Sequence, residues 1–254
     1  MKKLYDRDGV GFALVWIGLY VVSMNVALRF AGGLDDLAAK TVLQLLVPVA
    51  CGLALAVAST AWILRHGLAE TFGLCRFKGN WKPFLAFVPL AVMTCTNLKN
   101  GLELPAPWAL SLMMMANLAI AGYVEEIIFR GFLFRGMAKN HLSSAIIVSA
   151  VTFGAGHIVN LANTADTAGV LLQVCYAIVI GFLYTIIVYK GGSLWPCIIS
   201  HMVVNGTSVF AREQGPFTRL AEALCGQPGL EPVFSAVLLM LVSGSYALWL
   251  WKKA

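Results

Sequence analysis

The chain has 254 residues, 59% of them hydrophobic and only 12% charged, with a net charge of +6 and a mean hydropathy of +0.81. A water-soluble domain carries about 25% charged residues, so the composition excludes an ordinary soluble enzyme and points to a membrane protein. The positive balance is then read against the bilayer, and no nucleic-acid partner is expected.

The apolar runs follow in chain order. Lys2, Lys3 and Arg7 precede the first, residues 9–28. At about 20 residues it exceeds the 7–15 of a signal-peptide core, so an uncleaved span is expected. Residues 41–64 form the second run and 83–98 a shorter third, which Trp81 and Lys82 can anchor at the interface. Residues 104–124, 142–165, 167–189, 191–211 and 232–251 follow, and none of the eight runs contains Asp, Glu, Lys or Arg. About 20 apolar residues cross a hydrocarbon core of roughly 30 Å. The runs are continuous, without the two-residue alternation of barrel strands. The expected fold is therefore all-α, with eight transmembrane helices.

Orientation follows from the basic residues. With the N-terminus inside, the cytoplasmic segments hold Lys2, Lys3, Arg7, Arg65, Arg76, Lys78, Lys82, Arg135, Lys139, Lys190, Lys252 and Lys253. The outer segments hold only Arg29, Lys40, Lys99, Arg212 and Arg219. Both termini are thus expected in the cytoplasm. No linker, composition shift or internal repeat divides the chain, so residues 1–254 read as one membrane domain. The six cysteines show no C-x-x-C spacing and read as small apolar fillers.

Ionisable groups inside the fourth span break the pattern. The run Y-V-E-E-I-I-F-R-G-F-L-F places Glu125, Glu126 and Arg130 between apolar flanks. An ionisable side chain costs roughly 2.5–3.5 kcal/mol at a span centre, and such residues mark function. Glu126 and Arg130 are four apart and share a helix face, where they can pair. Glu125 is turned by about 100° from its neighbour and stays available for chemistry. Two carboxylates side by side away from water favour retention of a proton, which suits a general base near neutral pH.

His157 lies in T-F-G-A-G-H, four residues after Phe153, and His201 lies in S-H-M-V-V-N, four before Asn205. Glu125, His157, His201 and Asn205 together can activate water, handle protons and stabilise an oxyanion. Ser200 adjoins His201, but neighbours on a helix diverge, and no G-x-S-x-G is present. No H-E-x-x-H is present either. A zinc held by Glu125, His157 and His201 stays open as a three-ligand site. At 1.5 Å per residue, Glu125 and His201 lie roughly 12–15 Å from the cytoplasmic ends of their spans, and His157 lies deeper if its span starts at residue 142. Water is expected from the cytosol or laterally.

The ordered trio E-E-x-x-x-R, F-x-x-x-H and H-x-x-x-N, within about residues 108–210, resembles the CPBP family of CAAX prenyl endopeptidases and bacteriocin-processing enzymes, also called Abi proteins. The resemblance implies an all-helical intramembrane endopeptidase. It makes Glu125 the water-activating base with His157 as its partner, and His201 with Asn205 the oxyanion site. Glu126 belongs to the same site, with Arg130 and Phe153 in support. Both a metal-free and a zinc mechanism are associated with such a site. The spacing favours the metal-free one, since Asn is a poor zinc ligand. The expected partners are the bilayer and a peptide or lipidated-peptide substrate, and the expected location is a prokaryotic inner membrane. A non-catalytic immunity or regulatory binding protein and an ion-coupled transporter are the competing readings. Residues 1–100 carry no matching motif.

Overall fold

The computed structural model describes residues 1–33, 35–79 and 88–253, and these are helical with no strand; one isolated bridge joins Leu102 to Ala211. The α-helices are α1 (Lys2–Arg7), α2 (Gly9–Phe30), α3 (Val42–Arg65), α4 (Val88–Thr94), α5 (Trp108–Glu125), α6 (Arg135–Ala138), α7 (Leu142–Gly156), α8 (Thr167–Gly191), α9 (Trp195–Ser208), α10 (Pro216–Cys225) and α11 (Glu231–Lys253). A π-helix, Glu126–Phe134, joins α5 to α6, and a 3-10 helix, His157–Ala162, extends α7.

Local signals set the boundaries. The Asp8 carboxylate accepts the N–H groups of Val10 and Gly11 and opens α2, while a capping box of Thr41 and Gln44 opens α3. Gly192, at φ 68°, closes α8 in the left-handed conformation that glycine adopts without strain.

Among the described residues, six helical stretches are long and apolar enough to cross a membrane: Gly9–Phe30, Val42–Arg65, Trp108–Ala138, Leu142–Ala162, Thr167–Gly191 and Glu231–Lys253. Their outer faces present Leu14, Leu19, Val22, Leu43, Leu53, Val57 and Leu241 as an apolar surface suited to lipid. The chain is a multi-pass integral membrane protein. Two of the eight expected spans are not among the six. The third, 83–98, lies partly outside the described residues, as do its expected anchors Trp81 and Lys82. The seventh, 191–211, forms the 14-residue α9, about 21 Å long. The left-handed Gly192 delays its start, and the chain beyond it turns so that the Glu103 N–H donates to Phe210 O at 2.8 Å.

The bundle has two ends. At the first, the Lys78 N–H donates to Gly191 O at 2.7 Å, Arg135 Nη2 to Gly192 O at 2.8 Å, and the Tyr5 ring lies 5.3 Å from Phe72. At the second, Asn163 Nδ2 donates to Asn25 Oδ1 at 2.8 Å, Thr164 to Asp35 at 2.7 Å, and Lys99 to Glu231 at 2.6 Å. The helices α3 and α5 run parallel, since Leu45 packs with Leu110 and Met114 while Thr60 bonds Tyr123 at 2.6 Å. The inner core near the first end is aromatic: Phe12, Trp62, Phe72 and Phe132 contact one another with ring centroids 4.5–6.1 Å apart. That plug lies beneath the polar centre.

Candidate active site

The polar centre begins where α5 changes pitch. Glu125 is the last residue of α5, and Glu126 opens the π-helix, all nine of whose residues are buried. The sequence predicts an uninterrupted α-helix here; the structure instead has i→i+5 bonding, a rare geometry common at functional sites. Arg130 Nη1 donates to Glu126 Oε1 at 2.8 Å, and neither side chain has any exposed surface. The guanidinium carbon lies 4.0 Å from the Phe153 ring centroid and 5.6 Å from that of Tyr184. Phe153, the aromatic of the F-x-x-x-H motif, thus supports the buried cation through its π face.

His201 bridges the two glutamates. Its Nδ1 lies 2.8 Å from Glu126 Oε1 and its Nε2 3.4 Å from Glu125 Oε2. Gly122 makes this contact sterically accessible, because a Cβ there would come within 3.2 Å of the imidazole. The sequence reading joins Glu125 to His157, whereas the structure brings His201 against Glu125. His157 sits where α7 gives way to the 3-10 helix, with Nδ1 3.1 Å from Phe153 O and its ring edge-on to Phe153. Asn205 Nδ2 donates to Leu118 O at 3.3 Å. His157 and Asn205 both line one cavity with Glu125, of about 460 Å³.

Each glutamate has one oxygen held and one buried without a hydrogen-bond partner, and of the two Glu125 lines the cavity. Its Oε1 accepts a hydrogen bond from the Tyr20 hydroxyl of α2 at 2.5 Å, while its Oε2 is buried without a hydrogen-bond partner.

Residues 107–207 match the family model described as Rce1-like, type II CAAX prenyl endopeptidase Rce1-like. The resemblance carried by the three motifs is borne out. No curated protein and no solved structure matches the chain. The Rce1-like stretch runs from the N-cap of α5 into α9 and contains Glu125, Glu126, Arg130, Phe153, His157, His201 and Asn205. The family implies a protease, a hydrolase working on peptide within the bilayer.

Among the described residues, no three His, Cys, Asp or Glu side chains gather as a ligand set. Of the trio weighed for zinc, His201 Nε2 lies 3.4 Å from Glu125 Oε2, while His157 turns Nδ1 to a main-chain carbonyl.

Several cavity residues carry no family motif. Tyr20 lies outside the Rce1-like stretch, and a tyrosine in an apolar span reads equally well as packing. Asn117, 3% exposed, has a partnerless Oδ1. A signal for it exists in the sequence, since it is an amide inside M-M-M-A-N-L-A-I-A. Asn160 and Gln173 pair at 3.1 Å on the cavity wall.

Proposed function

We propose that this chain is an intramembrane endopeptidase in which Glu125 activates water to hydrolyse a peptide bond. The observation that carries the reading is the split between adjacent glutamates: Glu126 is fully buried against Arg130, and Glu125 lines the cavity. Glu125 Oε2 takes a proton from water, and the hydroxide adds to the scissile carbonyl. The Glu126 carboxylate accepts His201 Nδ1–H, so Nε2 faces Glu125 Oε2 and can relay that proton. The tetrahedral oxyanion is stabilised by Asn205 Nδ2, released from Leu118 O. With its Nδ1–H donating to Phe153 O, His157 holds the attacking water at its other ring nitrogen, while the proton from Glu125 passes through His201 to the leaving nitrogen. Protonation of that nitrogen and cleavage of the C–N bond give a carboxylic acid and an amine. No step requires a metal.

The substrate class is a membrane-associated peptide, prenylated CAAX-type or an unmodified leader or signalling peptide. The test is hydrolysis of a panel of both kinds by the purified full chain, with mass-spectrometric product detection and elemental analysis of the same sample. Cleavage that survives chelation and vanishes in Glu125→Gln supports the reading. One zinc per chain, lost together with activity, would overturn the metal-free mechanism. No cleavage of any peptide would overturn the protease itself.

The same reading includes one membrane domain crossing eight times, with both termini in the cytoplasm of a prokaryotic cell. Support comes from α3 and α5, which run parallel, so the chain between them has to travel back. Further support is that Tyr5, Lys78, Arg135 and Gly192 meet at one end, the end of the basic-rich segments. Reporter fusions after Lys78 and after Arg219 test it, with cytoplasmic activity expected at the first and external activity at the second.

A further inference from the structure

Two cavities open at the first end of the bundle, and they differ in charge. The larger, about 900 Å³, has one cation, Arg76, on walls dominated by Leu90, Ala91, Trp195 and Ile199. Ser200 on its wall adjoins His201, so this cavity belongs to the surroundings of the candidate active site. The smaller, about 300 Å³, lies between α1, the segment after α3, α6 and the end of α8. Arg135 and Lys139 line it together with the Tyr5 and Thr71 hydroxyl residues, and among the described residues its lining includes no carboxylate.

The cations of this smaller cavity are left without counter-charge. Arg135 Nη2 donates to Gly192 O at 2.8 Å, a neutral acceptor that orients the half-buried guanidinium without neutralising it. Lys139 Nζ lies 5.5 Å from the centroid of the Tyr5 ring. The carboxylates of the neighbouring segments are committed elsewhere. Asp6 pairs with Lys2, Glu70 pairs with Lys78, and Asp8 accepts the N–H groups of Val10 and Gly11. The base of the cavity, Phe72, Phe134 and Val188, is buried and apolar, so the field of the two cations is weakly screened on that side. Tyr189, also on the wall, is 43% exposed, and its ring lies 6.3 Å from that of Trp251, with Lys190 Nζ 5.4 Å from the Tyr189 centroid. Exposed aromatic rings and lysine at the ends of spans mark the depth of lipid headgroups.

We propose that this cavity binds a phosphate-bearing anion, supplied by the headgroup of an anionic phospholipid in the adjoining leaflet. The guanidinium fork matches phosphate oxygens and the lysine adds a point charge, and basic pockets between spans take such headgroups. Occupancy also steadies the turn that starts α9. Arg135 holds Gly192 there, and the Leu194 N–H donates to Gly73 O at 2.8 Å. The inference goes beyond the proposed proteolysis and does not rest on it.

The test is the unfolding temperature of the purified full chain in maltoside micelles at constant ionic strength. Phosphatidylglycerol, phosphatidylcholine and inorganic phosphate are titrated in separate series. A saturable rise with phosphatidylglycerol is expected, and none with phosphatidylcholine. Lys139→Gln should need roughly fivefold more phosphatidylglycerol for half-saturation, the effect of one cation near an anionic lipid. Lys252→Gln, beside Trp251 but outside the cavity, should behave as the parent chain. Arg135→Gln should weaken the response further, but it also removes the bond to Gly192 O, so Lys139→Gln carries the decision. No rise in any series, an equal rise with phosphatidylcholine, parent half-saturation in Lys139→Gln, or an equal loss in Lys252→Gln would overturn the site. A Lys139-dependent rise with inorganic phosphate alone would overturn the lipid as the source and leave the phosphate site standing.

Discussion

Glu125 and Glu126 are consecutive in the chain but belong to two regions with different physics. Below, Glu126 is closed in with Arg130, the Phe153 and Tyr184 rings and His201 Nδ1, with no exposed surface on either member of the ion pair. Above, Glu125 lines a cavity, held by Tyr20 through one oxygen and facing His201 Nε2 at 3.4 Å with the other. Two equal side chains are thus given unequal work by a turn of about 100° between neighbours and by a pitch change between them. In the proposed mechanism the lower region fixes geometry and the upper region does chemistry. His201 contacts both.

The largest way to break this division is through the floor. Arg130→Ala leaves Glu126 buried without its cation, an error costing about 3–5 kcal/mol for a buried pair. Loss of folded protein and of activity together is expected in thermal unfolding in detergent; unchanged unfolding would show that the floor does not carry the structure. Next comes the bridge. His201→Ala should reduce kcat by roughly 10²–10⁴, the range of lost acid–base catalysis. A smaller loss of stability should accompany it, because Glu126 keeps Arg130. Smallest is the upper clamp. Tyr20→Phe removes one hydrogen bond to the Glu125 carboxylate. It should lower kcat with KM and the unfolding temperature nearly unchanged, whereas a change in KM alone would assign Tyr20 to substrate contact.

The same two regions differ in how far the amino-acid sequence alone reveals them. The pairing of Glu126 with Arg130 follows from a four-residue spacing, which brings side chains together in a helix whatever surrounds it. The cluster itself stands out because charge inside a span is expensive. The spans of α2, α3, α5, α7, α8 and α11 are visible as continuous apolar runs. Other features depend on how helices pack. Which histidine faces Glu125 is set by Gly122, a close approach between α5 and α9 that neither motif encodes. Tyr20 reaches Glu125 from 105 positions away. The π-helix arises in a run of Ile and Phe whose pattern suits an ordinary helix equally well.

The central claim, that adjacent glutamates have divided roles, is tested most directly by measuring kcat and unfolding temperature for Glu125→Gln and Glu126→Gln side by side. Glu125→Gln should lose roughly 10²–10⁴ in kcat while unfolding at the temperature of the parent chain. Glu126→Gln should unfold earlier, because Arg130 is then left in the floor without a counter-charge. Full activity in Glu125→Gln, or unfolding of Glu126→Gln at the parent temperature together with loss of catalysis, would contradict the account.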